Sequence, residues 1–114
     1  MDVTLDTYAV VKIDVLFPTY GTTVTNSLPR LRWNAIAEAA SYQVAVWTNA
    51  PGLTLHESAL IGTNTYLMSR PLVNGATYCW DVDGLDSASH RVGDAHSIVF
   101  SAAFPPRPTF VGRE

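Results

Sequence analysis

Four aspartates, Asp81, Asp83, Asp86 and Asp94, crowd one stretch of the chain, with His90 and His96 among them and Cys79 just ahead. Carboxylates so close in sequence invite a calcium reading, but calcium needs six to eight oxygens converging on one point. The Asp-x-Asp-x-Asp-Gly order of a calcium loop is absent, so the aspartates read as a solvated strand face and a polar loop. Zinc needs three or four ligands with outer support. Its thiolate would have to come from Cys79, which has no Cys or His at ligand spacing and is expected to point out of a strand. None of the serines sits in a Gly-x-Ser-x-Gly elbow. Glu38, Glu57 and Glu114 form no evident carboxylate pair. The expectation is a chain with no catalytic residue, no metal and no cofactor, and therefore not an enzyme.

What remains is contact chemistry. Trp47 follows Val46 on an alternating segment and is expected at a strand end or on the outer face. An exposed tryptophan can stack on a sugar ring or anchor a protein interface. The bland alternative is that it caps the core edge beside Pro51 and Gly52. Trp47, with Asp83, Asp86 and His90 from the polar stretch, forms the candidate contact set for a surface glycan or another protein.

These residues must be held by an ordinary globular body. The chain has 114 residues, 47% hydrophobic and 15% charged, with a net charge of −3. That length suits one domain with a real core, and the composition argues against disorder. Lys12 is the sole lysine and the six arginines are scattered, so no basic stripe is present to follow a phosphate backbone. Nucleic acid is not an expected partner. No apolar run reaches membrane-spanning length. The first residues are acidic where a signal peptide would be basic.

Alternation with period two dominates the pattern. Val3, Leu5, Ala9, Val11, Ile13, Val15 and Phe17 share one parity. Fully extended, residues 3–17 would reach about 50 Å, too long for one strand of a small sandwich. The segment either bends into two strands or leaves the body as an arm, with Val3, Leu5, Val11, Ile13 and Val15 as candidate assembly contacts. Leu31 and Trp33 point inward from one short strand, and Tyr42, Val44 and Val46 from the next. Residues 34–41 are Ala-rich but lack a helical stripe and read as a loop. Residues 53–61 read as an edge-like strand, and residues 65–68 as a short one. Asn74-Gly75 is a turn signal, after which Tyr78, Trp80 and Val82 alternate with Cys79, Asp81 and Asp83. Residues 83–95 read as a polar loop and residues 97–101 as the closing strand. The Pro-rich run from Pro105 through Pro108 should form an extended tail. The expected core comprises Leu31, Trp33, Tyr42, Val44, Leu72, Tyr78, Trp80 and Val82.

About seven strands with turns every 8 to 12 residues suit an all-β antiparallel sandwich. Several motifs, Pro18-x-x-Gly21-x-x-Val24, Pro29-x-Leu31-x-Trp33, Tyr42-x-Val44-x-Val46 and Leu72-x-x-Gly75-x-x-Tyr78-x-Trp80-x-Val82, resemble the fibronectin type III family of immunoglobulin-like modules. The variety resembled is the one found in bacterial and phage surface proteins. The match spans residues 18–104, leaving residues 1–17 as an arm or extra strand and 105–114 as the tail. The resemblance implies a tyrosine corner, with the Tyr78 hydroxyl bonded to backbone a few residues upstream. The lone Cys79, one residue past Tyr78, departs from the paired cysteines of antibody domains. Such modules serve as spacers, adhesins and interaction units, so the resemblance carries little about function.

The function expected is a structural or decoration protein of a surface assembly such as a phage virion. It would be held to other subunits by its terminal arms through strand addition. The alternative is a spacer or carbohydrate-binding module of a larger secreted bacterial enzyme or adhesin.

Overall fold

A computed structural model describes residues 10–49 and 52–105. Two sheets pack face to face in an all-β sandwich. The larger has the order β1 (Val11–Lys12), β9 (Arg91–Ala102), β8 (Thr77–Leu85), β5 (Ser41–Thr48), β6 (Thr54–Ile61), with β3 (Thr23–Val24) also paired to β9. The smaller has the order β2 (Val15–Phe17), β4 (Arg30–Trp33), β7 (Thr65–Leu67). The long pairings are antiparallel. The two short ones, of β1 and of β3 with β9, are parallel, which makes the larger sheet mixed rather than wholly antiparallel as expected.

Parity explains the core. Leu31 and Trp33 are buried on β4 while Arg30 and Arg32 are exposed. Tyr42, Val44 and Val46 face them from β5, and Tyr78, Trp80 and Val82 from β8. All eight expected core residues are buried. Each large apolar side chain withdrawn from water adds about 1.5–3 kcal/mol. Trp33 meets Tyr42 edge-on at 5.4 Å, and Trp80 Nε1 donates to Pro18 O at 2.9 Å. The Tyr78 hydroxyl accepts the Val73 amide at 2.7 Å across the Asn74-Gly75 turn, where Gly75 has φ +89°.

The alternating N-terminal segment resolves into two strands where it is described. Val11 pairs with Gly93 in the larger sheet, and Val15 with Trp33 in the smaller. Ile13, between them, is 1% exposed and donates its amide to Asp94 O. Val11, Ile13 and Val15 are therefore committed to the sandwich and are not a free assembly arm. Of the two alternatives, arm or extra strand, the described residues 10–17 take the second, the chain changing sheets between Lys12 and Val15. Val3 and Leu5 lie outside the described residues, as does the tail from residue 106 onward. Phe104 packs on the core and its amide donates to Asn74 Oδ1 at 2.8 Å.

Residues 83–95 are the second correction. They are not a loop: β8 runs on to Leu85, β9 starts at Arg91, and only residues 86–90 turn. The inward positions here are Gly84 and Gly93, paired across the hairpin. Their missing side chains leave room for Ile36, which comes in from the Ala-rich loop. Tyr42 holds that loop by accepting the Ile36 amide at 2.9 Å. A Cβ on Gly93 would stand 2.4 Å from Ile36 Cδ1 and 3.2 Å from Val11 O. Gly93→Ala is therefore expected to destabilise the protein by about 1–3 kcal/mol, read by urea unfolding. A variant as stable as the parent would refute this packing.

Candidate functional site

The hairpin that replaces the expected loop brings four ionisable side chains together on its outer face. Asp83 on β8 lies opposite Asp94 on β9. His96 Nε2 reaches Asp83 Oδ1 at 2.7 Å, and Asp83, Asp94 and His96 offer ligand atoms within 4.8 Å of one another. Arg91 Nη1 stands 3.7 Å from Asp83 Oδ1 and 3.7 Å from Asp94 Oδ2. The Arg91 guanidinium between the two carboxylates offsets part of their charge and disfavours a second cation. Chemically the group is a partly exposed charge cluster that stiffens the hairpin.

The other two aspartates serve the backbone. Asp81 Oδ1 accepts the Ser97 amide at 2.7 Å, where β9 bulges and Ser97 has φ 61°. Asp86 Oδ1 accepts the amides of Ala88 and His90, both at 2.9 Å, closing the turn. The His90 amide, aided by the Ala88 amide and the His90 ring, holds the Asp86 carboxyl below its usual range. His90 Nδ1 lies 3.4 Å from Asp86 Oδ2. Asp86 and His90 thus form a turn.

Trp47 does not join them. It is half-buried on the outer face of the larger sheet, in register with Leu55 on β6 and Cys79 on β8. The hairpin turn begins after Leu85, six residues further along β8, about 20 Å at strand rise. The four candidate contact residues therefore split between opposite ends of one sheet. Cys79, expected in solvent, is only 7% exposed. It is a small side chain on a central strand, and its larger neighbours Trp47 and Val99 flank it in register. Burial, with the Asp81 charge as a second cause, pushes its thiol up.

One side of the hairpin opens into a groove of about 400 Å³. Its walls include Lys12, Asp14, Thr19 and Tyr20 from the N-terminal segment, and His96 and Ser97 from the β9 bulge. Tyr20 stands on it 75% exposed. The sequence reading missed this place because its walls are 75 residues or more apart in the chain and its aromatic belongs to a turn.

Glu57 was missed as well. It is 7% exposed on β6 and is gripped by Tyr66, Ser69 and Arg70. Its carboxylate accepts the Tyr66 hydroxyl, the Ser69 amide at 3.0 Å, the Ser69 hydroxyl at 2.8 Å and the Arg70 amide at 2.9 Å. Burial alone would raise this carboxyl, but the donors outweigh it and hold it below its ordinary value. Burial, and then the bond to Glu57, raises the Tyr66 phenol. The clasp joins the edge of the larger sheet to β7 of the smaller. Next to it, His56 packs edge-on to Tyr78 at 5.4 Å. Consecutive residues both reach inward because β6 carries an irregularity between Leu55 and Glu57, opposite Val46 and Trp47.

No protein-family model matches the sequence, and no curated protein matches it.

Proposed function

We propose that this chain is a non-enzymatic interaction module of the fibronectin type III kind. In this reading it is a structural or decoration subunit of a surface assembly such as a phage virion, joined to its neighbours by strand addition. The bond from the Val73 amide to the Tyr78 hydroxyl supports the family reading, since it has the form of a tyrosine corner. The observation that carries the assembly reading is β6. It ends the larger sheet, and among the described residues no strand lies on its outer side. Over its eight residues it carries no Lys, Arg or Pro, the residues that usually blunt an edge. The irregularity at His56 and the inward Glu57 blunt its first half, which leaves residues 58–61, with Leu60 exposed, as the stretch open to pairing. Such an edge is an acceptor for an extended segment. The sequence of residues 3–9, alternating and β-prone, supplies a donor of matching character.

Residues 10–17 belong to the sandwich, so the informative truncation removes residues 2–9 only. In sedimentation velocity the full chain is expected to associate as concentration rises. The truncated chain, and Leu60→Lys in the full chain, should stay monomeric with unchanged melting. Equal association by the truncated chain would end this reading.

A further inference from the structure

We infer that the groove between the N-terminal strands and the β9 bulge is a binding site for a neutral carbohydrate, one pyranose ring deep. The site is built by a gap in strand pairing. The outer edge of β9 is held by β1 at Gly93 and Asp94, and by β3 at Ser101 and Ala102. Gly21 closes it further by donating to Val99 O at 2.7 Å. Between these points residues 95–98 pair with β8 on one side, but among the described residues no strand lies on their outer side, because the chain leaves β1 for the smaller sheet and returns at β3. The β9 bulge lies within this gap, with Ser97 at φ 61°.

Three features select the ligand class. The gap is about four residues, some 13 Å at strand rise, and β1 and β3 stop it at either end. An added peptide strand would run into them, whereas a compact ring would not. Lys12 and Asp14 lie on one wall with opposite charge, so the groove is close to neutral and suits neither an anion nor a cation. Together with Thr19 and His96 they provide donors and acceptors in the mixture that a polyhydroxylated ring requires. Tyr20 then offers a wide, exposed aromatic surface on which the C–H face of a sugar can lie. A volume of about 400 Å³ is of ligand-pocket size. This site is separate from β6, and its occupancy does not depend on pairing at that edge.

The test is a two-dimensional amide NMR titration of the full chain with methyl glycosides of neutral, N-acetylated and acidic monosaccharides. The expected result is saturable shifts confined to residues 12–21 and 94–99 with a neutral or N-acetylated sugar. Tyr20→Ala should weaken that binding by about fivefold or more, and Asp14→Asn should weaken it too. Leu53→Ala, an exposed change on the far side of the sheet, should leave it unaltered. Melting curves identical to the parent would show that the Tyr20 and Asp14 variants are folded. No saturable shift with any sugar, binding restricted to acidic sugars, or shifts unaffected by Tyr20→Ala would each overturn the assignment.

Discussion

Tyr78→Ala is expected to lower the unfolding free energy by about 3–5 kcal/mol, as truncation of a buried aromatic does. The ring is 1% exposed, stacks on Phe100 at 5.7 Å and receives His56 edge-on. Tyr78→Phe separates the hydroxyl from the ring. It keeps the packing and leaves the Val73 amide without its acceptor, a loss of about 1–3 kcal/mol. Chemical denaturation of both variants gives the two contributions. If Phe equals Tyr, the corner bond adds nothing and the ring alone matters. If Ala costs less than about 1.5 kcal/mol, the site collapses around the gap and Tyr78 is not central.

The second large effect belongs to Glu57. Glu57→Ala removes the acceptor shared by four donors at a buried position and strands them, for an expected loss of about 2–4 kcal/mol. Glu57→Gln keeps the shape and loses the charge assistance, about 1–2 kcal/mol. The pH dependence follows from the lowered carboxyl. Its folded value lies below the ordinary 4.5 that the unfolded chain keeps. Between the two values the unfolded state binds more protons, so stability falls as pH falls. The contribution is complete above the unfolded value and is lost as pH drops through the folded one. The gap in stability between the parent and Glu57→Gln should be widest near neutrality and should narrow below about pH 4.5. A gap that stays constant with pH would show that the carboxylate charge is not what holds the clasp.

These two residues mark how far the sequence could be read. Tyr78 was legible because its neighbours alternate cleanly and a turn signal precedes them. Glu57 was not, because it lies inward on β6 at a place where apolar letters are expected. The strand irregularity beside it turns His56 inward too, so parity fails on both counts. A charged residue in an otherwise uncharged strand is the one signal that could have drawn attention to it. The same limit hid the hairpin at residues 83–95. Alternation was present there, but its inward members are Gly84 and Gly93, and the apolar atoms that fill their places belong to Ile36.

The sequence by itself determined a β-sandwich, eight of its core side chains and the turn beneath Tyr78, because parity and turn chemistry are local properties of the chain. The aspartates and histidines that looked most like a site could not be judged locally. Only the tertiary structure tied Asp81 and Asp86 to backbone amides, set Arg91 between Asp83 and Asp94, and parted Trp47 from the hairpin turn. It alone joined Lys12, Asp14 and Tyr20 to His96 across one groove and, among the described residues, left β6 without an outer partner. The physical reason is that strand register and a change of sheet bring together residues separated by most of the chain, and neither leaves a mark in the order of the residues.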